Sequence, residues 1–208
     1  MRYISHFESF GNENKILIVV DVQKSFKKFF TDKYVSELKK YCKRFDKVYQ
    51  IFDNHHEGKS VNKDYLYNHK AEINDLSDLY EFPNQVEIIE KRYNYDVDVD
   101  FYKKILDDET YNKLKSREKK LSKGEFFKTK EDTIIVFIGN NHKWFHVPKK
   151  LYKVFKDLKE AQTENAKITI VGGANGECLD DVITTAVSLG LQIDKNSNFI
   201  YSAEYCPI

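Results

Sequence analysis

The sequence predicts an α/β fold in three layers, with a mostly parallel sheet between helices. Two observations carry this expectation. Ile16-Leu17-Ile18-Val19-Val20 is a continuous aliphatic run of the kind buried on both faces of a parallel sheet, and similar short runs recur at 48–52, 86–89 and 168–171. Stretches with apolar residues at helical spacing lie between these runs, and such alternation implies right-handed crossovers and a parallel sheet.

Taken in order, the first strand, 16–20, ends at Asp21. Tyr34, Val35, Leu38, Tyr41, Cys42 and Phe45 then recur at helical spacing, with Thr31 or Asp32 placed as the N-cap. Residues 48–52 form a second strand ending at Asp53, and residues 86–89, introduced by Pro83-Asn84, a third ending near Lys91. The segment from about 96 to 146 is expected to be an inserted helix and strand: a Lys/Glu-rich helix from 101 to about 121, a break at Gly124, and an apolar strand at 134–138. Pro148 opens the next helix, with Leu151, Val154, Phe155 and Leu158 on its buried stripe, and the strand 168–171 follows. Leu179, Val182, Ile183, Ala186 and Leu189 make the last stripe, which Gly190 closes as a C-terminal cap. Short strands are expected at 191–193 and 199–201.

A length of 208 residues fits one domain with an insertion. Basic and acidic residues number 34 and 33, so no global field favours nucleic acid or an anionic membrane. The longest apolar run is far too short to span a bilayer, and residues 1–14 lack the charged-then-apolar pattern of a signal peptide, so a cytoplasmic location is expected. Three cysteines, Cys42, Cys178 and Cys206, form no close pair, which fits a reducing compartment. Cys42 falls on a buried helical stripe and Cys206 in the tail, and both are read as structural or incidental.

The chemistry concentrates beyond the strand ends, where open α/β sheets bind ligands. Val171-Gly172-Gly173-Ala174-Asn175-Gly176-Glu177-Cys178 is a strand, a glycine-rich turn and the start of an amphipathic helix. Cys178 is therefore expected at a helix N-terminus, where unpaired N–H groups and the helix dipole favour a thiolate and lower its pKa below the free value of about 8.5. The same N–H groups, those of Ala174 and Cys178, suit an oxyanion. Asp21 is expected in the same crevice if its strand neighbours 168–171, placed to act as base toward the thiol. A lysine nearby would hold the two negative charges together.

Ile18-Val19-Val20-Asp21-Val22-Gln23, with Phe26 and Phe29-Phe30 behind it, resembles the first-strand motif of the isochorismatase-like cysteine hydrolases, which include nicotinamidases. The cysteine segment, with Thr185-Ala186 and Gly190 after it, is similar to that family's nucleophile segment. The resemblance covers about 14–70, 83–95 and 148–203, and implies a Rossmann-like α/β/α domain. It further implies a catalytic Asp, Lys and Cys, with a cis peptide before the nucleophile turn, here at Gly173-Ala174. Asp21 and Cys178 match directly. Lys91, in Glu87-Ile88-Ile89-Glu90-Lys91-Arg92-Tyr93, is similar to the family's lysine, and Lys143, directly before the helix leading to the cysteine strand, is the rival.

Asp53-Asn54-His55-His56 resembles the Asp-x-His metal pair of nicotinamidases, with His69 as a third candidate ligand, a set that suits zinc, iron or manganese. Phe26, Trp144 and Phe145 are candidates to line a pocket for a flat ring, with core packing as the other explanation. The resemblance implies a small-molecule amide or related carbonyl substrate, and a chain that is often a homo-oligomer. Two other readings stand beside it. One is a fold relative that binds a metabolite or a protein partner without turnover. The other takes Gly172-Gly173-Ala174-Asn175-Gly176 as a phosphate-binding turn, although its spacing is neither G-x-G-x-x-G nor a P-loop.

Overall fold

The run Lys15–Val20 forms β1, whose last five residues are all buried, as two apolar faces require. A computed structural model describes residues 14–53, 76–91, 103, 107–117, 126–128, 134–138, 143–147, 149–176 and 178–202. With strands numbered in chain order, β1 pairs in parallel with β2 (Lys47–Asp53) on one side and with β7 (Lys167–Gly172) on the other. β3 (Gln85–Lys91) lies outside β2 and the short β8 (Asp194–Lys195) outside β7, giving a five-stranded, all-parallel sheet in the order β3-β2-β1-β7-β8. The chain leaves β1 toward one edge and later returns beside it at β7. The carboxyl ends of β1 and β7 therefore flank the point where the strand order reverses, the usual place for a binding crevice.

Side-chain alternation along the strands sorts the core into two layers. Ile16, Ile18 and Val20, with Ile51 and Ile89, pack against Leu151, Phe155 and Leu158 of α3 (Lys149–Thr163) and Leu179 and Val182 of α4 (Cys178–Ser188). Leu17 and Val19, with Val48 and Val171, pack on the opposite face against Val35, Leu38 and Cys42 of α1 (Asp32–Cys42). Leu38 and Phe155 are fully buried, and each such side chain contributes roughly 1.5–3 kcal/mol of transfer free energy.

Caps fix the helix ends. Thr31 is the N-cap of α1, its hydroxyl accepting the Tyr34 N–H at 3.2 Å. α4 ends where Gly190 takes φ 84° and the Leu191 N–H turns back to the Ala186 carbonyl at 3.1 Å.

The segment between β3 and α3 departs in part from expectation. Of the helix expected from residue 101, the described residues show α2 (Asp108–Arg117), whose start is capped by the Asp107 carboxylate accepting the Thr110 N–H at 2.8 Å. Its expected end near 121 lies outside the described residues. β5 (Ile134–Ile138) is central in a separate antiparallel sheet between β4 (Phe126–Lys128) and β6 (Lys143–Val147). The pairing of β5 with β6 was not foreseen, since 143–147 carries no long apolar run. Val147 joins the layer beneath α3, and β5 runs beside α4.

The strands expected at 191–193 and 199–201 are replaced by β8 and a short 3-10 turn, Ser197–Phe199. Leu191 is committed to the α4 cap, and the Asn196 side chain accepts the Asn198 N–H and starts the turn. Among the described residues no helix is long and apolar enough to cross a membrane.

Candidate active site

Among the described residues, Asp21, Gln23, Gln50 and Lys91 are the polar side chains buried in the parallel-sheet region. Two of them meet at the carboxyl end of the sheet: the Lys91 ammonium is ion-paired with the Asp21 carboxylate, with the two side chains 0% and 1% exposed. Both positions follow from strand ends. Asp21 leaves β1 in the left-handed region, φ 49°, with its N–H still bonded to the Ile51 carbonyl at 2.9 Å. Asp tolerates that region better than most residues with a Cβ. Lys91 is the last residue of β3, in register with Asp53. An ion pair so deeply buried loses most of its hydration, and it persists because each charge neutralises the other.

Cys178 opens α4 beside this pair. Gly172 and Gly173 make the approach possible, with φ 76° and 66°. A Cβ on Gly172 would fall 2.2 Å from the Val20 carbonyl oxygen, and one on Gly173 2.8 Å from Leu179 Cβ. The chain turns there through positive φ angles with trans peptides; the described backbone has no cis peptide, so the one expected at Gly173-Ala174 is not present. The turn aims the Ala174 N–H at Cys178 Sγ, 3.2 Å away.

The thiol itself departs from expectation. Burial pushes its pKa up to about 12, and the Asp21 charge adds to the rise. Lys91 and the Ala174 N–H pull the other way without overcoming these effects, and the thiol hydrogen-bonds Asp21. The sequence signal of a helix N-terminus holds as geometry, but desolvation beside a carboxylate outweighs it. A pKa raised this far favours the protonated thiol, hydrogen-bonded to the Asp21 carboxylate.

Lys91 contacts Asp21, whereas Lys143 begins β6 in the antiparallel sheet. Of the expected metal ligands, Asp53 closes β2, and His55 and His69 lie outside the described residues. Among the described residues there is no group of three or more His, Cys, Asp and Glu that could hold a metal ion. Phe26 is half-buried and packs 6.3 Å from the ring of Phe29, in the layer of α1. Trp144 and Phe145 lie on β6, with their side chains outside the described residues, and Cys206 is also outside them. Cys42 is fully buried in α1 and its pKa is likewise pushed up to about 12 by burial, consistent with an inert core thiol.

Part of the glycine-rich turn's donor capacity is already taken. The Gly176 N–H donates to Asp180 at 3.0 Å, and Asp180 and Asp181 both occupy the first turn of α4.

Tyr201 is a site residue that the sequence did not single out. Its hydroxyl donates to the Asp21 carbonyl at 2.9 Å, and its backbone bridges in parallel to Ala174. The identity of the residue carries no signal of this, because the contact spans the whole length of the fold. Asp78 is a second: its carboxylate accepts from Gln23 Nε2 at 3.0 Å and from the Ser25 N–H at 2.7 Å, fixing the 3-10 turn Lys24–Phe29 that follows Asp21. Compared with protein-family models, with curated proteins and with solved structures, the chain finds no match.

Proposed function

We propose that this chain is a cysteine hydrolase acting on a small amide or related carbonyl compound, through Asp21, Lys91 and Cys178, in an isochorismatase-like α/β/α domain. The observation that carries the reading is the buried Lys91–Asp21 ion pair set against the Cys178 thiol, where the sheet order reverses. A lysine and an aspartate buried together at that place are costly to the fold, and groups held so at a cleft commonly serve chemistry.

In the proposed reaction the Cys178 thiol passes its proton to Asp21 as the sulfur attacks the substrate carbonyl carbon. The oxyanion that forms is held by the backbone N–H groups of Ala174 and Cys178, the former already aimed at the sulfur. Collapse of the tetrahedral species expels the amine, which takes the proton from Asp21 and leaves a thioester. Water then gives a proton to Asp21 and attacks the thioester carbonyl, releasing the acid and restoring the thiol. Lys91 keeps Asp21 ionised at the start of each half-reaction and offsets the thiolate charge.

The antiparallel sheet β4–β6 reads as an insertion into this domain, consistent with its own strand order and its place between β3 and α3. No step needs a metal ion. The test is turnover: the purified chain should release ammonia from nicotinamide or another small primary amide, and Cys178→Ala should abolish that release.

A further inference from the structure

Two separate turns must be held in register if Asp21 is to face Cys178, one after β1 and one after β7. Tyr201 touches both. Its hydroxyl donates to the Asp21 carbonyl at 2.9 Å in a buried position. Its N–H donates to the Gly173 carbonyl at 3.2 Å, and its carbonyl accepts the Asn175 N–H at 3.1 Å, so its backbone brackets Ala174. Its ring is fixed independently of the hydroxyl, stacked on Phe29 with centroids 5.9 Å apart and packed against Phe30 at 5.4 Å. Asp21 has left-handed φ, a conformation that residues with a Cβ adopt at a cost and hold when the surroundings fix it.

We infer that Tyr201 is a positioning residue, which locks the Asp21 turn through its hydroxyl and the Ala174 turn through its backbone so that the carboxylate faces the Cys178 sulfur. The inference rests on the proposed Asp21–Cys178 chemistry. Tyr201 touches no reacting atom; it acts through Asp21 and Ala174.

Tyr201→Phe tests this, because it removes the hydroxyl and keeps the stacked ring. Cys178 ionisation is read on the free protein from the pH profile of its alkylation by iodoacetamide, quantified on the Cys178 peptide by mass spectrometry. The charged groups bearing on that thiol are Asp21, which raises its pKa, and Lys91, which lowers it, with the Ala174 N–H also lowering it. A carboxylate no longer held against the sulfur should raise the pKa less, so the Tyr201→Phe profile should move to lower pH, in the same direction as Asp21→Asn. On an amide that the wild type hydrolyses, kcat should fall about 3- to 10-fold, the effect of one neutral hydrogen bond, with KM unchanged. A Tyr201→Phe profile superimposable on the wild type overturns the inference, even if the melting temperature drops, because a merely structural role would give that pattern. Absence of amide turnover would count against the proposed function, while the alkylation arm would still decide on Tyr201.

Discussion

The Lys91 ammonium reaches the Asp21 carboxylate from the end of β3, two strands away, and the two side chains are 0% and 1% exposed. Burying one of these charges without the other would be far more costly than burying both. Lys91→Met should therefore destabilise the fold by about 3–5 kcal/mol, the usual penalty for leaving one member of a buried pair uncompensated. Lys91→Met combined with Asp21→Asn should recover much of that loss. Urea unfolding of the single and double variants checks both, and equal destabilisation in the two would show that the pair is not coupled.

Alkylation of Cys178 should be slow at neutral pH, because burial and Asp21 hold its pKa up at about 12. Its rate should rise with pH well beyond the range of a free thiol, whose pKa is about 8.5. In Asp21→Asn the profile should shift to lower pH, since the carboxylate that raised the pKa is gone. Fast, selective labelling of wild-type Cys178 at pH 7 would contradict the protonated resting state.

Stability should fall in alkali. The pKa values of Cys42 and Cys178 are both pushed up to about 12, chiefly by burial. An unfolded chain releases these thiol protons near pH 8.5, so above about that pH the unfolded state binds fewer protons than the native one and stability decreases with rising pH. Tyr34, whose pKa burial also raises, acts in the same direction at higher pH. Urea midpoints measured between about pH 8 and pH 11 should decline, and decline less steeply in Cys42→Ala. An unchanged slope in that variant would contradict the burial effect at Cys42.

Gly172→Ala should be much more damaging than Gly176→Ala. Both residues have left-handed φ, at 76° and 84°, so each substitution carries the strain of a Cβ there, about 1–2 kcal/mol. At Gly172 the added Cβ also meets the Val20 carbonyl at 2.2 Å, whereas nothing lies within 4 Å of one at Gly176. Thermal melts of the two variants rank the effects, and equal losses would show that the β1–β7 approach is not as close as described.

The sequence made the central strands readable because aliphatic runs such as 16–20 and 168–171 have few alternatives to a buried parallel strand. Asp21 and Cys178 could be placed for the same reason, since each directly follows such a run or its turn, whereas the lysine was left between Lys91 and Lys143. What the sequence did not contain was the surroundings of those residues. The pKa of Cys178 turns on its desolvation and on Asp21, both set by tertiary packing, while the local pattern reports the helix start alone. Tyr201 meets Asp21 across a separation of 180 residues, and β6 is specified by pairing with β5 rather than by its own composition.

Ammonia release from a panel of small primary amides headed by nicotinamide, measured side by side for the wild type and Cys178→Ala, decides whether Cys178 is the nucleophile of an amidase. The wild type should turn over at least one amide, and Cys178→Ala should lose that turnover by about a thousandfold or more, as expected when a covalent nucleophile is removed. Turnover that survives intact in Cys178→Ala would contradict a nucleophilic role for this residue.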